Sequence, residues 1–89
     1  MTSLTSERFR KTYRELPEAV QRRARFACQT FRDDPFHPSL QFKQVHAMRP
    51  SYSVRAGLGY RALGVREGDA VIWFWIGSHA EYDRLVARV

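Results

Sequence analysis

Up to residue 34 the apolar positions recur at helical spacing, and beyond it they gather into short runs bounded by proline, glycine or polar turns. Phe9, Tyr13 and Leu16 follow Thr5 and Ser6, either of which can cap a short first helix. Leu16-Pro17-Glu18 interrupts that helix. Pro17 suits the first turn of a second one, where its missing N–H costs nothing and Glu18 meets the positive end of the helix dipole. Val20, Ala24, Ala27 and Phe31 form the buried stripe of this second helix, and Arg22, Arg23 and Arg25 fall on its solvated face. The resulting αα-hairpin stops at Asp33-Asp34-Pro35, because proline disfavours α geometry at the preceding residue and cannot extend the ladder.

The remainder reads as sheet. Leu40 to Val45, Tyr52 to Ala56, Tyr60 to Val65 and Ala70 to Ile76 are expected strands, close enough in sequence to pair antiparallel. The last is apolar at both parities, which places it centrally with both faces covered, and its alternation puts Trp73 and Trp75 on one face as core residues. Thr2 to Leu4 can add a short edge strand. After the last strand, Ser78 and Glu81 match a capping box and predict a short final helix. The fold class is therefore α+β: a helical hairpin on an antiparallel sheet of about four strands, closed by a short C-terminal helix. With 89 residues, one domain spanning 1–89 is expected.

Composition narrows the partners. Fifteen Lys and Arg against nine Asp and Glu give a net charge of +6, which favours anionic partners, nucleic acid first among them. Cys28 is the only cysteine, so an intramolecular disulfide and a zinc site built on several thiolates are excluded, and a buried structural thiol in a reducing cytosol fits. The N-terminal residues carry no apolar signal region and no run approaches the ~20 residues of a membrane span, so a cytoplasmic protein without membrane contact is expected.

The positive charge is concentrated. Between Pro35 and Arg66 there is no carboxylate, whereas Lys43, Arg49, Arg55, Arg61 and Arg66 are cationic and His37 and His46 can become so. Because the run spans three adjacent strands, it predicts one contiguous polyanion-binding surface. A three-residue turn at Gly57-Leu58-Gly59 pairs Arg55 with Arg61, and two facing cations either splay into water or share an anion, which makes them a candidate phosphate clamp. A shift of one residue in the turn separates them onto opposite faces. The capping box places His79 in the first helical turn, beside free N–H groups, with Tyr82 three residues on; a histidine there can move a proton and a tyrosine can assist it. The spacing of His37, His46 and His79 matches no metal motif, and neither a P-loop nor a dinucleotide fingerprint is present, so no metal and no small-molecule cofactor is expected.

Four segments together resemble the RelE/ParE superfamily of toxins from bacterial toxin–antitoxin pairs: Leu-Pro-Glu-Ala-Val-Gln, Asp-Pro-Phe-His-Pro-Ser-Leu, Tyr-Ser-Val-Arg-Ala-Gly-Leu-Gly-Tyr-Arg-Ala-Leu and Trp-Ile-Gly-Ser-His-Ala-Glu-Tyr-Asp. The resemblance spans nearly the whole chain. It implies a curved sheet under the helical hairpin and a cognate acidic antitoxin that wraps the toxin. It also implies one of two activities: a metal-independent, ribosome-dependent messenger-RNA endonuclease, or a ParE-type inhibitor of DNA gyrase that catalyses nothing. A binding module that keeps the fold without toxicity is a third reading. For the nuclease, Arg55 and Arg61 resemble basic positions of the family and His79 the position where several members carry a catalytic His or Arg; the expected mechanism adds Tyr82 to catalysis and has Lys43, His46 and Arg49 position the messenger RNA on the ribosome. The family's second strand lysine is replaced by Ser53 here.

Overall fold

The computed structural model describes residues 1–46 and 51–87, with the backbone alone at His46. The first strand, β1 (Thr2–Thr5), leads through Ser6 into α1 (Glu7–Arg14), and α2 (Glu18–Asp33) follows after Pro17. A single 3₁₀ turn at Pro38–Leu40 then enters the antiparallel run β2 (Lys43–His46), β3 (Ser51–Gly57), β4 (Tyr60–Glu67) and β5 (Ala70–Ser78), and α3 (His79–Ala87) closes the described chain.

Local chemistry explains most of these boundaries. The Ser6 hydroxyl accepts the Phe9 N–H at 3.1 Å, satisfying one of the free donors at the start of α1. The Pro17 carbonyl accepts the first helical bonds of α2 from Val20 and Gln21, so proline sits just outside the helix it opens. Asp34, held by Pro35 in extended geometry, ends that helix. Ala24 and Phe31 of α2 are buried, and Val20 and Ala27 are half-buried beside them.

The sheet has five strands in the order β1-β5-β4-β3-β2 and is mixed, because β1 runs parallel to β5. The expected count of about four is thus one short, and the sheet is not wholly antiparallel. Only Leu4 in β1 is a large apolar residue, so no alternation marks this strand; its attachment is the parallel ladder from Thr2 to Thr5 along Ala70 to Trp73, supplemented by Thr2 N–H to the Asp69 carbonyl at 2.8 Å and by the Trp73 indole N–H to Ser3 Oγ at 2.8 Å. The second expected strand also shrinks. Leu40 lies in the 3₁₀ turn, 1% exposed, and Gln41 takes a left-handed φ of 47°, so pairing begins only at Lys43.

Two cores flank the sheet. Between the hairpin and the sheet, Phe31, Leu40, Val54, Ala62, Val71 and Trp73 pack together. Leu63, Trp75 and Tyr82 form a smaller cluster on the opposite face, beneath α3. Trp73 and Trp75 therefore do not share a face. A bulge between β4 and β5 pairs Gly64 with Trp73 but Leu63 with Trp75, leaving Phe74 unpaired and reversing the alternation. Both indoles are core, at 5% and 6% exposure.

Among the described residues no helix is long and apolar enough to cross a membrane. Cys28 is a free, half-buried thiol lining an apolar cavity of about 300 Å³ beneath the hairpin.

Candidate functional site

The face away from the helical hairpin is organised by strand register. Lys43 pairs with Ser53, Ser53 with Leu63 and Leu63 with Trp75, which makes one row across four strands. In the next row Arg55 pairs with Arg61 and Arg61 with Gly77. The two arginines are cross-strand neighbours, but by a different turn from the expected one: Gly57 pairs with Tyr60, Leu58 and Gly59 form the loop, and Ala56 is bulged out. Gly59 carries a φ of +78°, a conformation that costs glycine little and bars most other residues.

The two cations differ in kind. Arg55 is half-exposed, whereas Arg61 is 4% exposed. The Arg61 guanidinium donates to Gln41 Oε1 and to the Gln41 carbonyl, each at 3.2 Å, and to Ser53 Oγ at 2.9 Å. It also lies over the Tyr82 ring, 5.2 Å from its centroid. No acceptor meets its buried Nε–H. Among the described residues the ion pairs are Arg22–Glu18 and His79–Asp83, so this buried cation has no carboxylate.

Tyr82 links the sheet to the final helix. Its ring is 6% exposed and its hydroxyl donates to Ser53 Oγ at 3.3 Å, so one fully buried serine serves both Arg61 and Tyr82. The His79 ring lies 5.6 Å from the Tyr82 ring. His79 itself is exposed, with Nε2 3.5 Å from Asp83 Oδ1, and its backbone N–H donates to the Gly59 carbonyl at 2.8 Å. The capping box fixes this turn: Ser78 Oγ accepts the Glu81 N–H at 3.2 Å while Glu81 Oε1 accepts from the Ser78 hydroxyl at 3.0 Å and its N–H at 3.4 Å.

Arg61, Tyr82 and His79 thus form a continuous series of contacts, with Arg55 beside Arg61 and Lys43 beside Ser53 on the same face. The side chain of His46 and the whole of Arg49 lie outside the described residues. Arg66 does not join the group. It pairs beyond the bulge, lies 5.6 Å from the Tyr52 ring centroid and donates from Nε to the Gly68 carbonyl. His37 caps the 3₁₀ turn through Ser39. The basic run is therefore split between structural duties and two parts of the sheet, so the expectation of one contiguous surface is corrected.

Two participants were missed in the sequence reading. Ser53 was noted only as a replaced lysine, although the Arg55–Arg61 register makes it the diagonal neighbour of Arg61 and could have exposed it. Gln41 reaches Arg61 through a left-handed backbone that no local motif announces. Among the described residues no cluster of His, Cys, Asp and Glu could hold a metal ion.

A helical hairpin over one face of the sheet with a short helix on the other is the α+β fold of RelE-like toxins. A chain of the RelB–RelE antitoxin–toxin complex from Methanococcus jannaschii superposes with a TM-score of 0.72 at 19% identity, over 91% of this chain and 96% of that one. YafQ from E. coli strain BL21(DE3) gives 0.70 at 7% identity, over 90% and 94%. Isolated E. coli RelE gives 0.62 at 18%, over 98% and 96%. The family described as ParE-like toxin domain matches residues 18–84, and the chain belongs to it, within the RelE/ParE superfamily. No curated protein sequence matches the chain.

Proposed function

We propose that residues 1–89 form one toxin domain of a toxin–antitoxin pair, acting in the cytoplasm as a metal-independent, ribosome-dependent messenger-RNA endonuclease. The observation that carries this reading is the series Arg61, Tyr82, His79 on a sheet face that also presents Arg55 and Lys43. An RNA 2′-hydroxyl attacks the adjacent phosphorus, the bond to the 5′-oxygen breaks, and a 2′,3′-cyclic phosphate and a 5′-hydroxyl result. The proton lost by the 2′-oxygen balances the one gained by the 5′-oxygen. His79 is the exposed group able to take or give that proton. Tyr82, with its hydroxyl on buried Ser53, orients His79 and Arg61. The cations of Arg55 and Arg61 stabilise charge on the phosphorane, and Lys43, His46 and Arg49 hold the flanking backbone. The partner is an acidic antitoxin, a reading supported by RelB–RelE complexes among the similar structures.

His79→Ala is expected to lower cleavage of ribosome-bound message by roughly 10²-fold while leaving the fold intact. Unchanged cleavage removes His79 from the mechanism. Arg55→Glu reverses charge at a half-exposed position and is expected to abolish cleavage.

A second reading, inhibition of DNA gyrase without catalysis, is favoured by one observation: Arg61 and Tyr82 are more than nine-tenths buried and bonded to Ser53. Inducing the protein and following message integrity beside plasmid supercoiling separates the two. Loss of translated messages supports the nuclease, a supercoiling defect the gyrase inhibitor, and neither effect a binding module on the same fold.

A further inference from the structure

The helical hairpin and the sheet do not close completely on one another. Between them lies the apolar cavity of about 300 Å³ that Cys28 borders, and its wall is almost wholly carbon. Ala24 and Ala27 of α2, Ala56 of β3 and Ala62 of β4 face it where longer side chains would fill the space, and Trp73 lines it from β5. Protein interiors pack at crystal density with few voids larger than a water molecule, so a space of this size calls for an occupant. Water is a poor one. A buried water needs two to four polar partners, and an engineered apolar cavity of about 150 Å³ stays dry and admits benzene.

The rim has a different chemistry. Arg10 of α1 and Arg25 of α2 both border the cavity and both are exposed. Each is anchored on neutral oxygens: Arg10 donates to the Thr5 carbonyl at 2.9 Å and to Thr5 Oγ1 at 3.2 Å, and Arg25 donates to the Tyr13 hydroxyl at 2.8 Å. Neither meets a carboxylate among the described residues. A guanidinium carries five N–H donors, so both keep donors to offer an anion.

We propose that this cavity binds a medium-chain carboxylic acid, with the alkyl chain among the alanines and Trp73 and the carboxylate on the guanidinium of Arg10 or Arg25. At roughly 30 Å³ for each water-sized group, the space holds a chain of about ten carbons. The cations select an acid over an amine, and the carbon wall selects an alkyl body over a sugar or a nucleotide. The site is separate from the proposed RNA chemistry, because the cavity belongs to the core under the hairpin whereas Tyr82 packs in the cluster on the opposite sheet face.

Decanoate is the probe, titrated into the full chain by calorimetry. Affinity is expected to rise about fourfold for each methylene from hexanoate to decanoate and then to level off, since longer chains outgrow the cavity. Ala27→Leu, which fills the space, is expected to raise the Kd of decanoate at least about tenfold. The double substitution Arg10→Gln and Arg25→Gln leaves the core intact; it is expected to weaken decanoate at least about fivefold and to leave decanol within about twofold. The two indoles locate the ligand: ω-bromodecanoate is expected to quench Trp73 in a Trp75→Phe variant and to spare Trp75 in a Trp73→Phe variant, because Trp75 packs on the far side of the sheet. Equal affinity for decyltrimethylammonium, affinity that continues to climb through tetradecanoate, undiminished binding to a folded Ala27→Leu, or quenching of Trp75 would each overturn the proposal. Quenching of Trp73 by vesicles of a brominated phosphatidylcholine as strong as by the free acid would overturn it too, by giving the cavity to a membrane acyl chain.

Discussion

Replacing Arg61 with methionine removes a buried cation and keeps most of its length, whereas replacing Ser53 with alanine removes a partner and leaves the cation in place. The guanidinium makes three hydrogen bonds, to Gln41 Oε1, the Gln41 carbonyl and Ser53 Oγ. Bonds to a charged group contribute about 1.5–3 kcal/mol each, so together they bring about 4.5–9 kcal/mol before costs. Against them stand desolvation of the cation, on the order of several kcal/mol, and an unbonded Nε–H costing about 1–3 kcal/mol. The opposing terms nearly cancel. Gln41 is exposed, so water replaces Arg61 there, and a thioether can pack against the Tyr82 ring.

Arg61→Met is therefore expected to change stability by less than about 1.5 kcal/mol. Ser53→Ala strips the acceptor from two buried donors, the Arg61 Nη2 and the Tyr82 hydroxyl, and is expected to cost about 2–5 kcal/mol. The double variant should be more stable than Ser53→Ala alone, because the stranded charge is gone. Urea denaturation followed by circular dichroism gives all three, provided m stays constant across the set. The reasoning fails if Arg61→Met costs more than Ser53→Ala, or if the two losses simply add. A neutral effect on stability joined to lost cleavage would identify Arg61 as a residue kept for function.

Two further substitutions probe the frame around the site. In Gly64→Ala the added Cβ would stand 2.6 Å from Trp73 Cε3 and 2.7 Å from Val71 Cγ1, so a loss of about 1–3 kcal/mol or more is expected in the same denaturation assay, and wild-type stability would contradict this packing. Ser78→Ala removes the cap of α3 and is expected to cost about 1 kcal/mol by thermal unfolding; a Tm that does not move would show that the capping box does not hold His79.

Legibility in the sequence followed the range of each interaction. Ser6, Pro17, Pro35 and the Ser78–Glu81 box act within one helical turn, so their consequences could be read from neighbours along the chain. Arg55 and Arg61 were legible as a pair because a glycine-bounded turn allows few registers, and the observed one preserves the pairing even though Ala56 rather than the loop takes up the extra residue. The burial of Arg61 was not legible. It depends on Gln41, twenty residues earlier, entering from a left-handed turn, and on Tyr82 closing from α3.

The bulge at Phe74 ties these observations together. Without it, strict alternation would keep Trp73 and Trp75 together on the hairpin side. With it, Trp73 meets Phe31 at 5.3 Å in the main core, while Trp75 crosses to the cluster with Leu63 and Tyr82. There its indole covers Gly77, where a Cβ would stand 2.4 Å from Cζ2, and Gly77 is the strand partner of Arg61. A bulky ring is thereby spread over the strand partner of Arg61, and it packs in the same cluster as Tyr82, on whose ring the guanidinium lies. Gly77→Ala should accordingly push the indole away and loosen the Arg61–Ser53–Tyr82 contacts, although residue 77 bonds to none of them through a side chain. A fluorescence shift of Trp75, isolated in a Trp73→Phe background, reads that displacement directly, and an unmoved spectrum would show that the indole does not rest on Gly77.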